Sequence, residues 1–152
     1  MKTLILVVAM AAQITAATRT VVPPISVQER VKPVLDLCES AEAKQGEAQS
    51  ADFYQAAKVL GQLFQLKTKS SDEALVVLMG FYIGESTEED LLHEVTARGK
   101  RMLPFLLKYR KASVTFSQRE YTTSLFLSPD VRRRNFDEAI RSVRAGKVLG
   151  EE

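Results

Sequence analysis

Apolar positions recur at helical spacing along most of this chain. Val27, Val31, Val34, Leu35 and Cys38 step along one helix face, and Ser26 with Glu29 three residues later has the spacing of a capping box. Pro33 falls inside this segment, so the helix is expected to kink there or to begin just before it. Residues 42–49, EAKQGEAQ, are polar and contain a glycine, and they read as a loop. Phe53, Ala56, Ala57, Leu60, Leu63 and Phe64 then form a second stripe, with Lys58, Gln62 and Lys67 off it.

Ser70 and Glu73 repeat the capping-box spacing ahead of ALVVLMGFYIG, where apolar residues occupy every side. That pattern predicts the most buried helix of the fold, stopped by Gly84, although Val76, Val77, Phe81, Tyr82 and Ile83 also favour a strand. Ser86 with Glu89 opens a further helix whose apolar side is Leu91, Leu92 and Val95. Gly99 and Pro104 predict an interruption before the helical stretch FLLKYR. Residues 113–127 are rich in β-branched and aromatic side chains and suit either a strand or a short helix capped by Ser117. Ser128-Pro129-Asp130 then places a cap and a first-turn proline before the stripe Phe136, Ala139, Ile140 and Val143, which Gly146 ends.

Five or six helices joined by short loops predict an all-α domain, built as a small bundle or as stacked antiparallel helix pairs. Residues 26–152 form that single helical domain, and 18–25, with a Pro-Pro pair and no helical period, read as an extended lead-in. Before them, Lys2, the apolar run Leu4–Ala12 and the small residues Thr15 and Ala17 have the layout of a secretory signal peptide, residues 1–17, cut after Ala17. An exported product, periplasmic or secreted and with no transmembrane helix after processing, is the expectation. Cys38, the single cysteine, has no partner in its own chain for a disulfide.

Charge changes the picture more than overall composition does. Residues 18–97 hold 7 basic and 13 acidic side chains, net −6, whereas residues 98–152 hold 13 and 6, net +7. Arg132, Arg133, Arg134, Arg141 and Arg144 concentrate that positive charge on the last helix and form the candidate interaction surface. Such a face suits an acidic protein, a second copy of the chain or an anionic membrane surface. Nucleic acid is not an expected partner of an exported protein.

Candidate chemistry is sparse. His93-Glu94 begins like a zinc peptidase helix, but the position four residues after the histidine is Ala97 and the chain holds no second histidine. Glu88, Glu89 and Asp90 crowd a helix start, where acids favour the positive end of the helix dipole. No motif implies a metal, a cofactor or a histidine-activated nucleophile. The sequence therefore favours a non-catalytic binding protein of the partner, inhibitor or immunity type. A small hydrolase using only Glu88, Glu89, Asp90 or Glu94 and a self-associating structural protein are the alternatives.

Overall fold

The apolar stripes become six α-helices among the described residues. The computed structural model describes residues 19–151, so the expected signal peptide lies outside the described residues. The helices are α1 (Ile25–Glu42), α2 (Gly46–Phe64), α3 (Lys69–Leu78), α4 (Glu85–Ala97), α5 (Leu103–Tyr109) and α6 (Pro129–Ala145). Two short strands, β1 (Arg19–Val21) and β2 (Ala112–Val114), pair in parallel, with Arg19 opposite Ala112 and Val21 opposite Val114. The helical class holds, and the lead-in and part of 113–127 supply this small sheet.

A short turn folds α2 back against α1, and α3 crosses between that hairpin and a second group made of α4, α5 and α6. Every residue of α3 from Ser71 to Leu78 is buried; the all-round apolar pattern predicts this for Ala74–Leu78, and the polar Ser71, Asp72 and Glu73 are buried with them. No described helix is long and apolar enough to cross a membrane.

Several expected boundaries shift for identifiable reasons. Helix α1 runs unbroken through Pro33, which sits on the exposed face, and it begins at Ile25 without the expected Ser26 cap. Water can reach the carbonyl that the proline leaves unpaired on that face. Helix α3 starts two residues earlier than expected, because Thr68 accepts from the Ser71 N–H and Ser71 accepts from the Thr68 N–H. The box is real, but it lies two residues before the Ser70–Glu73 pair.

At its other end α3 stops at Leu78 rather than running to Gly84. Phe81 instead bridges Phe126 in antiparallel fashion, with Tyr82 N–H donating to Leu125 O at 2.8 Å and Leu127 N–H to Gly80 O at 3.0 Å. Gly84, at φ 95°, caps the start of α4, so it opens a helix instead of closing one and displaces the expected Ser86 cap. The break at Gly99–Met102 is a 3₁₀ turn, and Pro104 sits in the first turn of α5. Residues 113–127 hold most of β2 and a second 3₁₀ turn, Thr123–Leu125, while Ser117 donates to Gln28 Oε1 instead of capping a helix. Helix α6 matches its reading: the Ser128 hydroxyl accepts from Val131 N–H, Phe136, Ala139, Ile140 and Val143 are buried, and Gly146 is left-handed at φ 69°.

Two acids in the first turns of α3 tie the halves together. Asp72 Oδ1 accepts from Arg98 Nη1 at 2.6 Å and from Arg101 Nη2 at 3.0 Å. Glu73 Oε1 accepts from Lys108 Nζ at 2.6 Å and from the buried Tyr109 hydroxyl at 2.7 Å. Arg98, its side chain 3 % exposed, also donates to Glu94 and to the last carbonyl of α2, that of Phe64, at 3.0 Å. Removing one member of a buried pair strands the other. Arg98→Met is therefore expected to cost about 3–5 kcal/mol, and the double variant Arg98→Met/Asp72→Leu less than the sum of its parts. Urea unfolding of the single and double variants checks both statements; additive losses would sever the coupling between these two residues.

Candidate functional site

Arg132, Arg133, Arg134, Arg141 and Arg144 share α6, but the fold sorts them into different tasks. Arg132 turns inward. Its Nη1 donates to Arg110 O at 2.9 Å, its Nη2 to Tyr109 O, and its guanidinium lies 4.7 Å over the Phe136 ring. It thus holds carbonyls at the end of α5, and burial pulls its pKa below the usual arginine value. Gly80 makes room for it, since a Cβ there would stand 3.2 Å from Arg132 Nε.

The other four are exposed. Arg133 pairs with Asp130 at 3.0 Å, and Arg134 lies near enough to Glu88 to favour that residue's charged form. Arg141 and Arg144 line a shallow cleft of about 560 Å³ with Arg110, Asp137 and Ile140. Neither of them makes an ion pair with any described residue.

A second and larger cleft, about 650 Å³, lies at the start of α6. Half-buried Phe126 and Leu127, backed by the buried Phe81 and Val114, supply the apolar lining, while Arg19, Arg110, Lys111 and Arg133 supply charge; no acidic residue lines it. Arg110 lines both clefts, with its Nε 2.7 Å from Asp137 Oδ1, so the two form one basic strip. The surface named from the sequence holds the α6 arginines and leaves out Arg19, Arg110 and Lys111. Arg110 and Lys111 stand in the run KYRK, a visible signal; Arg19 joins them only because β1 pairs with β2.

The acids considered for catalysis do not gather. Glu94 accepts from Lys67 at 2.6 Å and Arg98 at 3.0 Å; although partial burial opposes it, those hydrogen bonds hold its pKa below the ordinary value. Glu89 and Asp90 are exposed on α4 and line neither basic cleft. Glu88 borders a void of about 10 Å³ beside Met79, Phe81 and Leu91.

His93 has a structural partner. Its Nδ1 donates to Leu149 O at 3.0 Å, and Thr96 Oγ1 accepts from Leu149 N–H at 2.9 Å, so the two side chains fasten the C-terminal tail to α4. Among the described residues, no three His, Cys, Asp or Glu side chains converge as metal ligands. Cys38 is buried in α1; burial, aided by the charge of Glu42, pushes its thiol up to about 12, which keeps it in the unreactive protonated form.

Two variants separate these roles. Arg132→Met leaves the Tyr109 and Arg110 carbonyls without their charged donor and is expected to cost about 2–4 kcal/mol. Arg133→Met should stay within about 0.5 kcal/mol. Urea midpoints compare them, and equal effects would place Arg132 on the surface with its neighbours.

Glu88 carries the pH signature. Burial first, then the charge of Glu85, raises its pKa against the pull of Arg134, and one carboxylate oxygen is buried with no described partner. A carboxyl raised in the folded state favours its protonated form, so stability falls as pH climbs from the ordinary glutamate value of about 4.3 through the raised one. Glu88→Gln should raise the melting temperature at pH 7 and lose that gain near pH 3. A gain of equal size at both pH values would remove ionisation as its cause.

Comparison of the chain with protein-family models, curated proteins and solved structures gives no match.

Proposed function

We propose that this is an exported, non-catalytic binding protein whose basic strip takes an acidic protein partner. The observation that carries the reading is the joining of two clefts through Arg110, in a strip where Arg19, Lys111, Arg141 and Arg144 make no ion pair with any described residue. Positive charge left without internal partners attracts and orients an acidic surface more strongly than charge already neutralised. The export reading rests on Lys2, the apolar run Leu4–Ala12 and the small residues Thr15 and Ala17. The contact surface is thereby Arg133, Arg141 and Arg144 of α6 extended by Arg19, Arg110 and Lys111, with Arg132 as its internal support.

Self-association through the acidic half is the weaker reading, because much of that charge is paired within the chain. Arg119 binds Asp36 and Glu39, Lys44 binds Asp52, and Asp72 and Glu73 are buried under their cations.

Affinity capture of the mature chain from its own host, with mass spectrometry of the N-terminus and of co-purifying protein, tests the proposal. A chain starting at Thr18 with one acidic, salt-sensitive partner is expected. Lys111→Glu/Arg141→Glu/Arg144→Glu should weaken that partner's binding at least about tenfold. Capture unchanged by the triple reversal would refute the basic strip, and an unprocessed Met1 would refute export.

A further inference from the structure

The larger basic cleft has a feature that charge does not explain: one wall is an unfinished sheet. Val21 O accepts from Thr115 N–H at 3.1 Å, and the parallel register sets Arg19, Thr20 and Val21 against Ala112, Ser113 and Val114. In a parallel ladder, alternate residues of one strand turn their backbone groups toward the partner. Ser113 and Thr115 therefore face β1, and the N–H and C=O groups of Ala112 and Val114 point the other way. No described backbone group outside the β1–β2 pair bonds to either residue.

That edge lines the cleft, with Ala112 and Val114 themselves only 6 % and 8 % exposed. Across from it stand Gly80, Phe81, Phe126 and Leu127, which are themselves two strand-like segments joined by the Phe81–Phe126 bridge. Between the walls lie the half-buried Phe126 and Leu127, backed by the buried Phe81 and Val114, and the exposed cations Arg19, Lys111 and Arg133 line the same cleft.

We infer that this cleft receives an extended acidic peptide segment, which adds to the outer edge of β2 as a third strand. The inference rests on the binding role proposed above and specifies how one part of the strip is used. Backbone N–H and C=O groups arrayed along a strand are matched by another backbone. Side chains of an added strand alternate between its two faces, so one set meets the apolar surface while the other reaches the exposed cations. A segment alternating acidic and apolar residues satisfies both. A lipid chain with an anionic head would meet the apolar surface and the cations but would leave the Ala112 and Val114 groups unpaired. The three residues of β2 span about 10 Å, so the backbone match is short and the charges must contribute to affinity.

The test uses a fluorescein-labelled eight-residue peptide alternating Glu and Val, its Gln-Val counterpart, and two versions N-methylated along one edge or the other. Binding is read by fluorescence polarisation, and amide hydrogen exchange is read residue by residue by NMR. The Glu-Val peptide should bind, and the Ala112 and Val114 amides should slow while Ser113 and Thr115 keep their existing protection. Methylating the pairing edge should weaken binding about tenfold, the equivalent of one net hydrogen bond. The Gln-Val peptide and the variant Arg19→Glu/Lys111→Glu should each show a loss that high salt erases. Arg19 and Lys111 make no ion pair with any described residue, so that variant is expected to keep its helical circular dichroism.

Binding that ignores both methylated edges and leaves the Ala112 and Val114 amides unprotected would overturn strand addition while leaving an acid-binding strip intact. Failure of the Glu-Val peptide to bind, with natural-partner capture still lost on reversing the strip, would likewise overturn the inference and spare the proposed function. Binding of phosphatidylglycerol vesicles in place of the peptide, without slowing of those two amides, would assign the cleft to a lipid surface instead.

Discussion

The contact among Arg98, Asp72 and the Phe64 carbonyl is the constraint on which the rest of the structure depends. One guanidinium, almost wholly buried, reaches the end of α2, the first turns of α3 and a carboxylate of α4. A buried cation is tolerated only when its donors are met, so these three helices must approach in one arrangement. Lys108 and Tyr109 do the same for Glu73 from α5, and burial together with the Glu73 carboxylate pushes the Tyr109 hydroxyl well above its ordinary pKa. Apolar packing alone would bury α3 but would leave its rotation less determined. The acids in its first turns fix which face meets α4 and α5.

That arrangement also decides where charge is left over. The acidic row of α1, Asp36, Glu39 and Glu42, is covered by the segment between β2 and α6. Arg119 and the Tyr121 hydroxyl reach Asp36, Thr122 N–H donates to Glu39 at 3.0 Å, and Ser124 donates to Glu42 at 2.8 Å. Acids that the sequence places in one half are thus met by donors drawn from the other. The basic half has more cations than this pairing uses, and the remainder collects around α6 and the end of α5 rather than being dispersed.

How much of this was legible depends on whether a residue's surroundings are near it in sequence. Helix α6 was legible because Ser128, Pro129, the Phe136–Val143 stripe and Gly146 act within one segment. The end of α3 was not: Gly84 looked like a helix stop, but Leu125 and Leu127 engage the backbone around Phe81 first, and those residues lie far along the chain. The Glu73 of an apparent capping box belongs to a buried pair with α5, because Thr68 begins the helix earlier and turns Glu73 toward Lys108. The sheet was invisible for the same reason. Three-residue strands carry little periodicity, and β1 acquires its role only when the folded bundle brings β2 beside it.

Arg132 shows why a row of arginines cannot be read as one surface. Arg133 and Arg134 beside it are exposed, yet the absence of a side chain at Gly80 and the open carbonyls at the end of α5 draw it inward. Once there it carries positive charge into the wall of the larger cleft, where burial already disfavours that charge. Its two carbonyl acceptors are dipoles and do not neutralise it, and the nearest acids of α6 are engaged elsewhere, Asp130 with Arg133 and Asp137 with Arg110. An anionic group entering the cleft would relieve a cost that the fold itself maintains, so the residue that secures α5 to α6 also biases the cleft toward negative charge.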